Sequence, residues 1–563
     1  MKRKILLLMT AALFGVATVF AQFAGGKGTA TEPYLISTPE YLVEINFYLN
    51  NTNLHFKMIN DIDLTNYLAP GGAGHNGGAG WLPIGNAANK FSGTFDGAGF
   101  KITGLWINRE NTDYVGLFAQ TNGANFSNLG VEIASEGMKG FGGGIIGRAS
   151  KTTMNNCSVT GGNIDIGGGL CGSINNSTIN NCHATVNVGS GGGLVYSAGE
   201  NSTINDCYAT GNVNGSGGGL ISNFGSVTIS NCYSRGNVGS NNNNFAGGLV
   251  GSSYNTNYNT IIITITNSYA EGNVSGDTNV GGLVGYLYCW DGKYTISNCR
   301  ASGNISGNNR VGGFVGGTDV ASLFQTSSIT KCYAGGNVIG NSNVGGLVGY
   351  SSSRVNITDC YANSNVSGNE YVGGLIGANS SSISRCYATG NVIGNTSVGG
   401  FTGRNNTVFI GCSINSSFYD YETTGQMYGI GSGGEGNLAG KPTSEMQKKS
   451  TFTEVGWDFT TVWDIHSRGE YSYPFLRNVP EVGINEPIQN INIQIYPNPV
   501  LTELFINSDS QIEKVEIYSI TGALLKICNN FKEKISVSAL ARGIYFLKVY
   551  TDKGVMVSKF VKE

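Results

Sequence analysis

Between residues 114 and 415, short apolar–polar alternations such as Thr-Ile-Ser and Cys-Tyr-Ala-Thr are separated by Gly and Asn. Alternation with period two marks a strand with one buried face, and Gly and Asn are residues of tight corners. The pattern also recurs as a whole. Residues 372–398, VGGLIGANSSSISRCYATGNVIGNTSV, form one period that ends where the next Val-Gly-Gly begins. Gly-Gly-Leu-Val-Gly stands at 281–285 and 345–349, Ile-Ser-Asn-Cys at 229–232 and 296–299, and Asn-Val or Asn-Ile at Asn212, Asn237 and Asn304. Cys157, Cys182, Cys207 and Cys232 are spaced by 25 residues, Ser268 then takes the cysteine's place, and Cys299, Cys332, Cys360, Cys386 and Cys412 follow. Where the spacing stretches, the extra residues (252–260 and 319–328) fall at one corner of the unit.

A repeat of this size predicts a solenoid. Helical units would need apolar residues at three- and four-residue spacing and few interior glycines, and neither is seen. Three short strands and three turns per unit predict one coil of an all-β parallel β-helix, stacked on the next at about 4.8 Å. Right-handedness is expected from the general bias of parallel connections. One coil cannot bury its apolar face alone, but a stack buries a continuous column and pairs its backbone along the axis. Small residues then suffice inside, and Gly and Asn turn the left-handed corners, which accounts for 87 Gly in 563 residues.

Composition narrows the partners. Net charge is −3 and 12% of residues are charged, about half the usual share, with no basic patch for nucleic acid. Met1-Lys-Arg-Lys4 precedes an apolar run from Ile5 to Phe20, which predicts a signal peptide over 1–21, cut between Ala21 and Gln22. No later run is long enough for a membrane span, so no integral span is expected in the mature chain. Residues 22–113 form an aromatic-rich N-terminal cap with the first coils, 114–415 the regular repeats, and 416–479 a closing cap. A cap is needed because an open strand edge pairs with other chains.

The Gly-Gly-Leu-Val-Gly units, with Trp81-Leu-Pro-Ile-Gly85 and Phe91-Ser-Gly-Thr-Phe-Asp-Gly97 before them, resemble the GLUG repeats of bacterial surface proteins, from about Trp81 to Leu476. The resemblance implies an adhesin-like chain or the non-catalytic part of certain IgA-cleaving metallopeptidases. The metallopeptidases carry His-Glu-x-x-His; the four histidines here, His55, His75, His183 and His466, are not so arranged. From Ile491 glycine thins out and strands of a small Ig-like sandwich are expected at 504–507, 515–519, 524–528, 535–537 and 545–550, after a linker over 480–490. Residues 491–563 resemble the C-terminal sorting domain of type IX secretion cargo of Bacteroidetes-type bacteria, through Tyr496, Pro497, Asn498 and Pro499, then Gly522, Gly543, Tyr545, Lys559 and Lys562. That resemblance implies the type IX machinery as a partner, and an outer-membrane surface or extracellular location.

Among candidate sites, the cysteine file is read as buried reduced thiols acting as small hydrophobes; disulfides between stacked coils would be strained, and a metal ladder lacks paired spacing. If Cys faces inward, the next residue faces out: Ser158, His183, Tyr208, Tyr233, Tyr269, Arg300, Tyr333, Tyr361, Tyr387 and Ser413. The tyrosines of this file are the candidate strip for glycan or matrix-protein ligands, against a reading in which they merely cover the sheet. Asn156, Asn181, Asn231, Asn267 and Asn298, with Asp206 and Asp359, are read as an amide ladder along a corner rather than a calcium site. Gly429–Gly434 matches G-x-G-x-x-G without a flanking βαβ unit, and the sequons at Asn273, Asn304 and Asn365 follow from composition. The acids between 138 and 415 (Asp165, Glu200, Asp206, Glu271, Asp277, Asp291, Asp319, Asp359 and Glu370) fall mostly at different repeat positions, which argues against paired catalytic carboxylates. The expected function is non-catalytic, without cofactor or metal: an exported adhesin-like binding protein. An envelope stalk or spacer and a polysaccharide-acting enzyme are the alternatives.

Overall fold

The computed structural model describes residues 23–563 except 200, 240–243, 254–260, 290, 321–324, 409–410, 466–471, 478, 480–492, 509–511, 520–523, 530–533 and 552–553. The cleavage site at Ala21 and Gln22, the linker and Gly522 lie outside the described residues. Two compact units are present, Met1–Pro480 and Glu481–Glu563.

The first unit is a parallel β-solenoid. Among the described residues, sheet A has 14 strands, from Tyr34–Ile36 to Ser413–Asn415, and sheet B has 12, from Phe118–Asn122 to Ile430–Gly433. Each strand pairs in parallel with the equivalent strand one coil on, as Ile204 with Ile229, Ile229 with Ile265 and Ile265 with Ile296. Even the corners bond along the axis: the Leu249 N–H donates to Leu283 O at 2.9 Å, and Leu283 to Phe314 O at 2.8 Å. Most inward files therefore hold one kind of side chain. Isoleucines from sheet A, leucines or Phe from the Gly-Gly-Leu corner, cysteines and alanines fill the core, each buried.

The expectation of three strands per coil is corrected to five short segments. One coil comprises Thr278–Gly281, Val284–Cys289, Gly292–Ser297, Arg300–Ala301 and Ile305–Ser306. The extra segments fold a side lobe with its own core, in which Val238, Val274, Ile305 and Val338 face Val280, Val311 and Val344. Gly307 is needed there: a Cβ would lie 2.9 Å from a methyl of Val280 and of Val311. Gly282 is tighter, since its Cβ would meet the Gly313 carbonyl oxygen at 2.0 Å and the Ala301 methyl at 2.9 Å.

The residue before each cysteine turns a left-handed corner, with φ of 49° at Asn181, 53° at Asp206 and 54° at Asn231. Asn and Asp tolerate that conformation best. The expected ladder forms in part: Asn181 Nδ2 donates to Asn156 Oδ1 at 2.6 Å, Asn156 to Asn128 at 3.1 Å and Asn267 to Asn231 at 3.3 Å, whereas Asp206 accepts from its neighbour Asn205 and Asp359 is held by Arg385. Each thiol donates to the carbonyl two residues back, at 3.1 Å in Cys182, Cys207 and Cys232, and burial pushes the Cys182 and Cys207 thiols well above their ordinary range. Cys412 is a second correction. The coil after Cys386 places Ser417 in the file, its Oγ accepting the Cys386 N–H at 3.2 Å, because Ile383 pairs with Ile414 and the residues between shift the register. Cys412 lies beside Asn405 Oδ1 instead, and Phe418, not Ser413, follows Tyr387.

At the N-terminal end Phe23, Tyr34, Tyr48 and Phe56 cluster under the helix Pro39–Glu44, whose N-cap Thr38 accepts the Tyr41 N–H. The second unit packs a three-stranded against a four-stranded antiparallel sheet around Leu504, Val515, Ile517, Ile535, Leu547 and Phe560. The Tyr496 ring stacks on Phe505, and Pro497, Asn498 and Pro499 follow its strand, with Asn498 Oδ1 accepting the Val561 N–H. Gly543 opens the long strand that carries Tyr545, whose hydroxyl donates to Ala541 O; Lys559 and Lys562 lie on the last strand.

Two outcomes test this packing. Gly282→Ala should cost about 1–3 kcal/mol of unfolding free energy, as overpacking does, read from urea unfolding; an unchanged midpoint contradicts the close approach. The Cys182 and Cys207 thiols hold protons that the unfolded chain releases above their ordinary value of 9.0. Their contribution to stability should therefore be flat below pH 9 and fall above it, while alkylation after unfolding counts all 12 cysteines. A count near zero would show disulfides instead.

Candidate functional site: the tyrosine file and the outer face of sheet B

The residue after each core cysteine does point away from the core, and in-register pairing stacks these side chains. His183, Tyr208, Tyr233 and Tyr269 lie ring on ring, with centroids 4.6, 4.9 and 4.9 Å apart and planes within 6° of parallel. Tyr333, Tyr361 and Tyr387 form a second stack at 4.8 and 5.0 Å. Arg300 joins the two stacks, paired with Tyr269 on one side and Tyr333 on the other. Its planar guanidinium takes a ring's place, 4.2 Å from the Tyr269 centroid, and donates to Glu271 at 2.6 Å; Glu271 also accepts from Arg235 at 3.0 Å. Arg300 is 0% exposed, so Glu271 compensates a charge fully removed from water.

The expectation of an exposed strip needs correction. Tyr208, Tyr233 and Tyr333 are half-buried, while Tyr269, Tyr361 and Tyr387 keep 8%, 9% and 2% of their surface. The faces of the rings are consumed by stacking. The segment after 416 buries the last rings further, for it lies along this side of the coils, where Phe452, Trp457 and Trp463 pack with Tyr361, Tyr387 and Phe418. Tyr387 donates to Pro474 O at 2.5 Å, and the Trp463 indole N–H reaches Asp359, which Arg385 holds through two bonds of 2.7 and 2.9 Å. Burial pushes the Tyr387 hydroxyl well above its usual range, so it remains a donor.

The outer face of sheet B is a surface the sequence reading missed. The residue just before the Val-Gly or Ala-Gly that opens this segment takes a left-handed corner, with φ of 62° at Tyr114 and Phe245, 54° at Arg310 and 52° at Tyr371. Its backbone rests on the glycine of Leu-Val-Gly one coil on: a Cβ at Gly349 would lie 2.6 Å from the Arg310 carbonyl carbon, and one at Gly403 2.3 Å from that of Tyr371. The corner side chain therefore covers the residue after that glycine. Arg148 lies 5.4 Å over Tyr114, Tyr286 packs 5.3 Å from Phe245, Arg310 lies 4.4 Å over Tyr350, and Arg404 5.4 Å over Tyr371. Arg148, Arg404 and Phe245 are exposed and the tyrosines half-exposed. These two positions vary among Tyr, Phe, Arg, Asn, Ser, Ala and Gly while their neighbours repeat, which was the available signal.

The acids do not gather. Glu271, Asp319 and Asp359 are held in separate arginine pairs. Among the described residues no three His, Cys, Asp or Glu side chains are grouped to hold a metal ion, and no helix is long and apolar enough to cross a membrane.

Comparison with known proteins places two pieces of the chain. Residues 494–563 match the secretion system C-terminal sorting domain, and residues 368–393 match the GLUG motif. The sorting domain directs the chain through the type IX machinery to the cell surface or extracellular space. A protein of Evansella cellulosilytica described as a "Putative Gly-rich membrane protein" is 43% identical over 141 residues, 24% of this chain and 15% of that one. Halomucin of Haloquadratum walsbyi is 35% identical over 140 residues, 24% of this chain and 2% of its own length. The chain thus spans a small part of the curated relatives it matches. A crystal structure described as "a putative immunoglobulin A1 protease from Bacteroides ovatus" aligns over 81% of this chain and 95% of its own, at 16% identity and a TM-score of 0.22.

Arg300 offers the test of the stacked file. Arg300→Ala leaves Glu271 with Arg235 as its remaining arginine partner and opens the stack, and should cost about 1–3 kcal/mol; Arg300→Tyr completes the run of rings and should recover most of it. Equal losses in both variants would show that the file does not act by stacking.

Proposed function

We propose that this exported chain is a non-catalytic, adhesin-like binding protein that presents the outer face of sheet B to glycan or protein ligands. The carrying observation is the series of aromatic and arginine couples along that face, repeated on a rigid frame with the arginines at 148 and 404 exposed. Aromatic faces take up sugar C–H surfaces, guanidinium groups donate to hydroxyl and carbonyl oxygens, and both types are enriched where proteins bind partners. The tyrosine file contributes only the ring edges of the half-buried Tyr208, Tyr233 and Tyr333. Glu271, Asp319 and Asp359 are each held by an arginine in a separate part of the stack, which supports binding over hydrolysis by paired carboxylates. A stalk is the second reading, favoured by the unbroken pairing of sheet A from Tyr34 to Asn415.

The test is retention of the full chain on immobilised oligosaccharides and extracellular-matrix proteins, with a triple variant Arg148→Ser, Tyr350→Ser and Arg404→Ser. Binding should weaken at least about tenfold, or ~1.4 kcal/mol, with thermal stability little changed. Wild-type protein that retains none of these ligands supports the stalk, and release of new sugar ends during incubation supports an enzyme.

A further inference from the structure

The outer face of sheet A carries a pattern that plays no part in the reading of sheet B. On each of its strands a buried core residue, such as Ile204, Ile265 or Ile329, stands between two outward ones. In-register pairing sorts these into two files. One runs from Asn125 through Thr228, Thr264 and Thr295 to Ser413, the other from Ser127 through Ser230 and Thr266 to Asn415. Every position in both files is Thr, Ser or Asn, each at least partly exposed, and no register shift interrupts the pairing. Charged side chains stand beside the files and not in them, as Lys293 and Arg354 do on one border and Lys331 and Arg385 on the other.

Stacking alone does not select this composition. Rings stack equally well in the outward tyrosine file of the same solenoid, and the outer face of sheet B mixes Tyr, Gly and Arg in one file. On sheet A the outward side chains are all short, uncharged and hydrogen-bonding. Bonds along the files join Asn180 to Asn155 and Ser230 to Asn205 toward one end, and Thr358 to Ser384 toward the other. Between them the hydroxyls of Thr264, Thr266 and Thr295 have no protein partner among the described residues and face water. Threonine is stiff at χ1 and carries a methyl beside its hydroxyl, so this stretch is a row of fixed hydroxyls alternating with apolar C–H surface.

Such an array fits a partner that is itself periodic. Like groups recur along each file at the strand spacing of about 4.8 Å. Water held tetrahedrally, with oxygens about 2.75 Å apart, has its second neighbours about 4.5 Å apart, so one repeat of ice corresponds to one coil. The mismatch of about 0.3 Å per coil keeps about six successive coils within half a repeat of a single lattice row. The trough between the files is about 6.6 Å across and takes a row of water at the same pitch, reached by hydroxyls from both sides. We propose that the outer face of sheet A binds ice. The two files and their trough order a layer of water that continues as the first layer of the crystal, and the molecule is held through many coils at once. Adsorbed molecules force the ice front to grow as curved surface between them, which lowers its freezing point. The inference is independent of the ligand reading of sheet B.

The experiment grows single ice crystals in solutions of the full chain and records the gap between their melting and freezing temperatures, together with recrystallisation in frozen films. Wild type is compared with Thr264→Tyr/Thr295→Tyr, with Thr228→Lys/Thr330→Lys, and with the Arg148, Tyr350 and Arg404 variant of the sheet B face; protein melting temperature is the control for folding. Tyrosine suits an exposed strand position, and the lysine pair gives a second disruption of different chemistry. Wild type should hold crystals without growth below their melting point and arrest recrystallisation. Both sheet A variants should need at least about tenfold more protein for the same effect, and the sheet B variant should match wild type. Wild-type protein with no effect on ice overturns the proposal, as does undiminished activity in both sheet A variants. Activity lost only in the sheet B variant places ice on the other face and overturns it too. Retention on crystalline cellulose or chitin without any effect on ice shows that the files match a solid glycan lattice, and overturns ice as the partner.

Discussion

Parallel hydrogen bonding from each coil to the next, in register, is the constraint from which the rest of the solenoid follows. Because strands and corners alike donate along the axis, as Leu249, Leu283 and Phe314 do in turn, every coil must keep the same cross-section. Equal cross-sections place like residues in files. A file tolerates only side chains that stack on themselves: isoleucine, cysteine or alanine inside, amide or tyrosine outside. The glycines of the Gly-Gly-Leu-Val-Gly phrase each answer one close approach. Gly281 has no room beside the Val284 carbonyl, Gly282 is pressed by the next coil's Gly313 and by Ala301, and Gly285 carries the corner of the coil before it.

The same constraint divides the surface into two kinds of outward position. In the tyrosine file, like meets like, ring faces are spent on one another, and an arginine enters only as a planar substitute with Glu271 to balance it. On the outer face of sheet B, the corner residue of one coil meets a different position of the next, so unlike side chains are brought together and their chemistry can vary from coil to coil. Binding specificity has room to develop there without disturbing the stack, which is why the functional reading moves from the first surface to the second.

Much of this was legible in the sequence. The period, the inward isoleucine and cysteine files, the left-handed Asn corners and the sandwich with its sorting motifs follow from local patterns. The side lobe did not, because Val274 and Val280 alternate like any strand residues and only their separate core reveals a second fold within the coil. The register at Cys412 was hidden because a cysteine at nearly the right spacing imitated the file; the pairing of Ile414 decides otherwise. The fate of Tyr361 and Tyr387 depended on where the segment carrying Trp457 and Trp463 packs, a contact across many coils that no periodicity encodes.

Distance measurement between spin labels at Thr178 and Asn356 tests the stacked-coil account most directly. These positions are joined through successive pairings by way of Thr203, Thr228, Thr264, Thr295 and Ser328. Six steps at the strand spacing give a backbone separation of about 29 Å despite the long intervening chain, and a single narrow distribution near that value, broadened only by the label linkers, is predicted. A broad distribution, or a separation far from that value, would contradict the in-register stack on which every file described above depends.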